Sequence, residues 1–189
     1  MYCASCQRMF NNHINLRTHE RSTLHGGRSI QCPMKRCTRK FVSRAALVAH
    51  LESGGCASGM TRRMINELVA RLDRGGILTD PARLIEYNSS SCVTGVWATQ
   101  RAWNGTAYEC YLCTRTFRSL DALNQHLRSP AHEDKRYRCP KVWHGCGEEF
   151  KTLSGFVQHM ESEQCGVHRF KKRVDKAIDA LGAGKLIKA

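Results

Sequence analysis

Four times along the chain an aromatic residue stands four positions after a cysteine (Phe10, Phe41, Phe117, Phe150), and an apolar residue stands three positions before a histidine (Leu16, Leu47, Leu123, Phe156). Each pair bridges a short strand hairpin and a following helix, and it predicts a small core between them. Between the second and third units the pattern changes. Met60, Met64, Ile65, Leu68, Val69 and Leu72 recur at helical spacing, with Thr61 or Ser58 placed to cap the start and Gly75 and Gly76 to end it. Asp80 before Pro81 predicts a shorter helix through Tyr87, then a loop at Ser89 to Ser91. Trp97 and Trp103, near the Asn104-Gly105 turn, are expected to pack where the third unit begins. The apolar stripe reads as core or as contact between the two halves of the chain, with a partner groove as the alternative. After Cys165, residues Phe170, Val174, Ile178 and Leu181 share one helical face, while Lys171, Lys172, Arg173 and Lys176 crowd the others. No run approaches the ~20 apolar residues of a membrane helix.

The cysteines and histidines around these apolar pairs form four ordered sets. Cys3, Cys6, His19 and His25 are separated by two, twelve and five residues, and Cys110, Cys113, His126 and His132 repeat that spacing. Cys32, Cys37, His50 and Cys56 have gaps of four, twelve and five; Cys139, Cys146, His159 and Cys165 have six, twelve and five. In these two sets a thiolate replaces the last imidazole. The constant gap of twelve lets a hairpin carrying two cysteines fold back on a helix that offers the other two donors. The expected cofactor is zinc, four ions in all, and the expected fold is small, zinc-stabilised and α+β: four ββα fingers, Cys2His2 and Cys3His. A ~25-residue unit buries too little apolar surface to fold alone, so metal binding supplies the missing free energy, on the order of 10 kcal/mol per site. Four protein donors leave no open position for substrate, and no phosphate loop or nucleophile with its base accompanies them, so an enzyme is not expected.

Cys92, His13, His144 and His168 fall outside the sets. His144 lies in the loop between Cys139 and Cys146, where it either competes for the fourth metal or faces water. Cys92 reads as a loop or packing thiol. A disulfide framework is the alternative for the eleven cysteines, but their odd number, the paired histidines and the lack of a signal peptide favour a reducing, intracellular compartment.

The fingers form two pairs related by duplication. From Cys3/Cys110 to Cys32/Cys139 equivalent ligands differ by 107, and after a two-residue insertion they differ by 109. The expected organisation is a first pair at 1–56 (fingers 1–25 and 32–56), a helical linker at 57–107, a second pair at 108–165 (fingers 108–132 and 137–165) and a basic amphipathic tail at 166–189. Six residues separate the fingers within each pair, without the Thr-Gly-Glu-Lys-Pro linker of major-groove readers, so the members of a pair are expected to dock on each other. Met1 stands where the third and fourth fingers place Tyr108 and Tyr137, so fraying is expected in the first strand.

The formal net charge is +14, distributed as +7 over residues 1–56, +1 over 57–109, +1 over 110–165 and +5 over the tail. Arg28, Lys35, Arg36, Arg39, Lys40 and Arg44 are the candidate phosphate contacts, which would be sequence-independent and salt-sensitive. A merely solubilising cationic surface is the alternative. Base-reading side chains lie one, four and seven residues before the first histidine of a finger. Those positions hold Thr18, Asn15 and Asn12; Ala49, Ala46 and Ser43; Gln125, Ala122 and Ser119; Gln158, Gly155 and Thr152. Arginine, the usual reader of guanine, is absent from all of them, so strong base-specific readout is not expected. Each last gap carries a central serine (Ser22, Ser53, Ser129, Ser162). In the first and third fingers this His-x-x-Ser-x-x-His spacing is similar to that of fingers in double-stranded-RNA-binding and in spliceosomal or ribosome-biogenesis proteins; a local hydrogen bond near the metal is the structural alternative.

Tyr2 to Gly26, His50 to Cys56, Trp103 to His132 and Phe150 to Cys165 together resemble a family of fungal C2H2-type zinc finger proteins with tandem finger pairs. The resemblance implies metal binding through repeated C2H2-type domains. The functional expectation is a zinc protein of the nucleus that binds structured RNA or DNA backbone, with a protein-interaction scaffold built on the linker and second finger pair as the alternative.

Overall fold

The computed structural model describes residues 1–20, 25, 27–73, 75–79 and 97–182. The expected helix from Asp80 to Tyr87, the Ser89 to Ser91 loop, Cys92, Ser22 and the side chains of Arg173 and Leu181 lie outside the described residues.

Three fingers share one local plan. Two-residue antiparallel strands form hairpins: β1 (Ile30–Gln31) with β2 (Lys40–Phe41), β3 (Tyr108–Glu109) with β4 (Thr116–Phe117), and β5 (Tyr137–Arg138) with β6 (Glu149–Phe150). The registers are equivalent, because Ile30, Tyr108 and Tyr137 each stand opposite the repeated aromatic, Phe41, Phe117 and Phe150. In the first finger the hairpin shrinks to a single bridge, Tyr2 to Met9. Met1 still occupies the position opposite Phe10, whose N–H donates to the Met1 carbonyl at 2.8 Å.

A helix follows each hairpin: α1 (His13–Glu20), α2 (Arg44–Glu52), α4 (Leu120–Arg128) and α5 (Leu153–Glu161), with α3 (Arg62–Leu72) in the linker and α6 (Lys171–Gly182) in the tail. Ser43, Ser119 and Thr152 cap their helices through the N–H of Ala46, Ala122 and Gly155 at 3.1, 3.2 and 3.1 Å, and Asn12 accepts from the N–H of Asn15 at 2.8 Å. All four residues stand seven positions before the first histidine.

The main packing crosses the pairs instead of joining the members of one pair. α2 and α5, from the two Cys3His fingers, form the largest helix–helix contact among the described residues. Leu47, Val48 and Leu51 are fully buried on α2, and their equivalents Phe156, Val157 and Met160 are fully buried on α5. Each helix also caps the other. The Glu52 carboxylate accepts from the N–H of Leu153 at 2.8 Å and the hydroxyl of Ser154 at 2.5 Å, while Glu161 accepts from the N–H of Arg44 at 2.9 Å and of Ala45 at 3.3 Å. These anions meet helix N-termini, where unpaired N–H groups and the dipole favour negative charge. The arrangement is a two-fold seam within one chain.

The linker and the tail complete this core. Thr61 caps α3, and Ile65, Leu68 and Val69 are buried with Met60, so the apolar stripe is core; Met64 and Leu72 stay exposed. Beyond α3 the Asp73 carboxylate gathers the N–H groups of Ile77, Leu78 and Thr79 at 2.7–2.9 Å. The segment it folds lies against β5: Arg138 N–H donates to the Leu78 carbonyl at 2.8 Å, and the buried Tyr137 hydroxyl donates to Asn66 at 2.6 Å. Val174 and Ile178 of α6 enter the same core, and Phe170 stacks on Trp143. The third finger keeps its own small core around Leu123 and Leu127.

Candidate metal centres and nucleic-acid surface

In each finger the hairpin brings two donors to the helix, whose last turn supplies the third, and the chain just beyond the helix supplies the fourth. The aromatic four positions after the second cysteine packs on the first histidine: Phe10 on His19, Phe41 on His50, Phe117 on His126 and Phe150 on His159, with ring centroids 4.6, 4.8, 4.8 and 5.1 Å apart. The repeated aromatic therefore shapes the metal site as well as the core.

All sixteen sequence-assigned ligands come together in four groups, with the donor atoms of each group within 4.8 Å of one another. In the first, Cys6 Sγ is 3.1 Å and Cys3 Sγ 3.4 Å from histidine Nε2 atoms, and the two Nε2 atoms are 3.0 Å apart. The third group has 3.5, 3.4 and 2.9 Å for the same separations. In the Cys3His groups Cys32 and Cys56 Sγ are 3.9 Å apart, Cys139 and Cys165 Sγ 3.6 Å, and each remaining cysteine lies 3.5 Å from its histidine Nε2. A tetrahedral zinc with Zn–S of about 2.3 Å and Zn–N of about 2.0 Å requires sulfur–sulfur edges of roughly 3.8 Å and sulfur–nitrogen edges of roughly 3.5 Å. The four clusters are suited to zinc, and the ten described cysteines are unbridged. His144 is exposed, turns through a left-handed backbone conformation, and lies outside the fourth donor group.

The imidazoles are tuned toward ligation, whereas two of the thiols must give up a proton to the metal. Burial holds His19, His50 and His126 below the ordinary imidazole range, so they present the neutral form that ligates. Burial and neighbouring sulfurs push the Cys32 and Cys139 thiols up to about 12. For Cys165 burial also pushes upward, but the Val167 N–H and His159 outweigh it and bring the thiol down to about 7. Glu148 lies 3.5 Å from Nδ1 of His159 and orients that ring, as a second carboxylate commonly does for a zinc-bound imidazole.

The described serines of the last gap make a local bond. Ser53, Ser129 and Ser162 donate to the carbonyls of His50, His126 and His159 at 2.8, 2.6 and 2.7 Å and accept from an N–H two residues on. This two-way link ends the helix and turns the chain toward the fourth donor.

The basic residues separate into two classes. Arg28, Lys35, Arg36, Arg39 and Lys40 are exposed on the hairpin side of the second finger, while its helix faces inward. Arg44 is half-buried and pairs with Asp179 and with Asp175 of α6, the latter at 3.7 Å. Sequence reasoning grouped Arg44 with the other cations because its acidic partners lie more than 130 residues away. Five of the six positions that would read bases on α2 and α5 are otherwise engaged: Ser43 and Thr152 cap their helices, and Ala46, Ala49 and Gln158 line a cleft shared with α1. Arg17 of α1 reaches across that cleft to Glu163 at 2.8 Å.

Comparison with known proteins bears on the two Cys2His2 fingers. Residues 2–25 match a family described as zinc-finger double-stranded RNA-binding, and residues 108–132 match one described as zinc-finger of C2H2 type. Over 44 residues the chain is 41% identical to transcription factor IIIA of Mus musculus, a stretch covering 23% of this chain and 12% of that protein. Among the described residues no helix is long and apolar enough to cross a membrane.

Proposed function

We propose that this chain is a non-catalytic, zinc-dependent nucleic-acid-binding protein of the nucleus that holds the backbone of a duplex through the first finger pair. The observation carrying this reading is the inverted presentation of the second finger. Its helix, the element that enters a major groove in base-reading fingers, lies against α5, while five cations between Arg28 and Lys40 stand exposed on its hairpin side. Cations without reading side chains contact phosphates, and phosphate contacts carry affinity without sequence. The match of residues 2–25 to a double-stranded RNA-binding finger supports RNA as the first duplex to test.

The test is a titration of zinc-loaded protein into double-stranded RNA, double-stranded DNA and a single strand of equal length across a salt series. Saturable duplex binding is expected. Exchange of Lys35, Arg36, Arg39 and Lys40 together for glutamate should abolish it while the protein keeps four zinc ions. Binding unaffected by that exchange rejects the assignment of the first pair. The scaffold alternative cannot use most of the linker's apolar stripe, of which only Met64 and Leu72 are exposed, and would have to rest on other exposed apolar residues such as Trp97, Tyr111 and Val142.

A further inference from the structure

The third finger carries a surface that neither its zinc site nor its core requires. An arm at 97–107 precedes its hairpin and folds over the finger. Ala98 and Ala102 turn inward onto the small core, while Trp97 and Trp103 remain 57% and 45% exposed. The arm is held firmly. Asn124 of α4 clasps Ala98 twice, accepting its N–H at 2.8 Å and donating to its carbonyl at 3.3 Å. Asn104 accepts from the N–H groups of Thr106 and Ala107 at 3.0 and 2.9 Å, and the Tyr108 hydroxyl donates to Gln100 at 2.7 Å.

The two indoles do not sit bare. Arg128, one turn beyond Asn124, places its guanidinium carbon 3.8 Å from the centre of the Trp97 ring, and Trp103 meets Tyr108 edge-on at 5.0 Å. Trp143, by contrast, is half-buried and stacks on Phe170. An exposed indole costs hydration free energy that folding normally removes, so two of them fixed outward by hydrogen bonds point to a ligand with a flat apolar face. Charge narrows the ligand. Arg101, Arg115, Arg118 and Arg128 are exposed on this finger against Glu109 and Asp121. A partner held by apolar contact alone would meet the Arg128 guanidinium on Trp97 and the other exposed cations of this finger, whereas a base attached to phosphate uses both the rings and the cations.

We infer that the arm of the third finger is a stacking site for unpaired nucleobases, with Trp97 as its principal platform and Trp103 beside it. Every base has a π-face, so such a site tolerates any sequence, in keeping with the absence of arginine from the reading positions of α4. The inference rests on the nucleic-acid reading above and adds an unpaired strand to its ligand: a duplex with a single-stranded tail or loop, the first pair on the paired part and the third finger on the open part.

The experiment compares a blunt RNA duplex with the same duplex carrying an unpaired 3′ tail, titrated into zinc-loaded full-length protein with tryptophan fluorescence and anisotropy as readouts. The tailed duplex should bind roughly tenfold more tightly than the blunt one, with quenching of indole emission. W97A should lose most of that difference and leave blunt-duplex affinity unchanged, while W97F, which keeps a ring, should retain much of it; retention of four zinc ions shows that both variants fold. Equal binding of the two duplexes by the wild type overturns the inference and leaves duplex binding standing, as does a tail preference that W97A does not alter; in that case the indoles serve a protein surface. No saturable binding of either duplex overturns both readings.

Discussion

Glu52 and Glu161 close the seam between the halves of this chain by the same bond drawn in opposite directions. Each is the last residue of its helix, each accepts from the first two N–H groups of the other helix, and they are separated by the 109 residues that relate the ligands of their fingers. They are not equal in depth, since Glu52 is buried and Glu161 half-buried.

That difference sets the cost of removing them. Glu52→Ala leaves two N–H groups and the Ser154 hydroxyl unpaired in the core and should destabilise the protein by about 2–3 kcal/mol, against about 1 kcal/mol for Glu161→Ala. Chemical denaturation of the zinc-loaded variants measures both. An equal, small effect at the two positions would show that the seam is held by its apolar residues alone.

Burial raises the Glu52 carboxyl, and its bonds to Ser154 and Leu153 offset only part of that rise. A carboxyl raised on folding is protonated more readily in the native state, so its contribution grows as pH falls through the folded value toward the ordinary 4.5. Wild type should therefore gain stability relative to Glu52→Gln on acidification. Measuring the difference between the two cancels the loss of zinc, which acts on both.

Zinc release should occur in stages. The second and fourth sites share one core, so Cys32→Ser should lower the zinc content by two ions in native mass spectrometry. Cys6→Ser should lower it by one, because among the described residues of the first finger only Cys3 and His19 are buried and neither belongs to the shared core. Chelation should become easier as pH falls, since the thiols of Cys32 and Cys139 must release protons to bind metal.

Gly145 admits no side chain: a Cβ there would meet Cys139 Sγ and the Pro140 carbonyl oxygen at 2.5 Å each. Gly145→Ala should cost about 1–3 kcal/mol and weaken the fourth site selectively. Gly54, whose Cβ would meet nothing within 4 Å but whose φ is +74°, should respond to alanine through backbone strain alone, with no loss of zinc.

Arg44→Glu should act on the tail and not on phosphate. Its partners Asp175 and Asp179 are on α6, so limited proteolysis should release the tail more readily, while nucleic-acid affinity changes less than in a variant of Lys35 or Arg36.

The metal sites were legible in the sequence because their donors, aromatics and N-caps all lie within one short unit, where spacing alone sets geometry. The first linker helix, Arg62–Leu72, was legible for the same reason, and of its two cap candidates Thr61 is the one that caps it. The pairing of fingers was not. Ala46 and Ala49 read as an idle recognition helix, and nothing nearby in the chain shows that their helix lies against Phe156 and Met160; the internal duplication was visible, but the two-fold contact it permits was not. The acidic partners of Arg44 on α6 were hidden for that reason too. The arm at Trp97 was anticipated as packing, whereas its outward presentation depends on the side chain of Asn124, which has no signature in spacing.

The seam has a consequence for how such a chain arose. A surface whose last glutamate fits its own copy's helix start is self-complementary, as in a symmetric homodimer. One finger pair alone would leave Leu47, Val48 and Leu51 bare and would meet a second molecule there. Within one chain that encounter is intramolecular and independent of concentration, and the outer fingers are free of the identity that symmetry would impose. One of them now has a minimal hairpin beside a cationic neighbour, and the other has an aromatic arm.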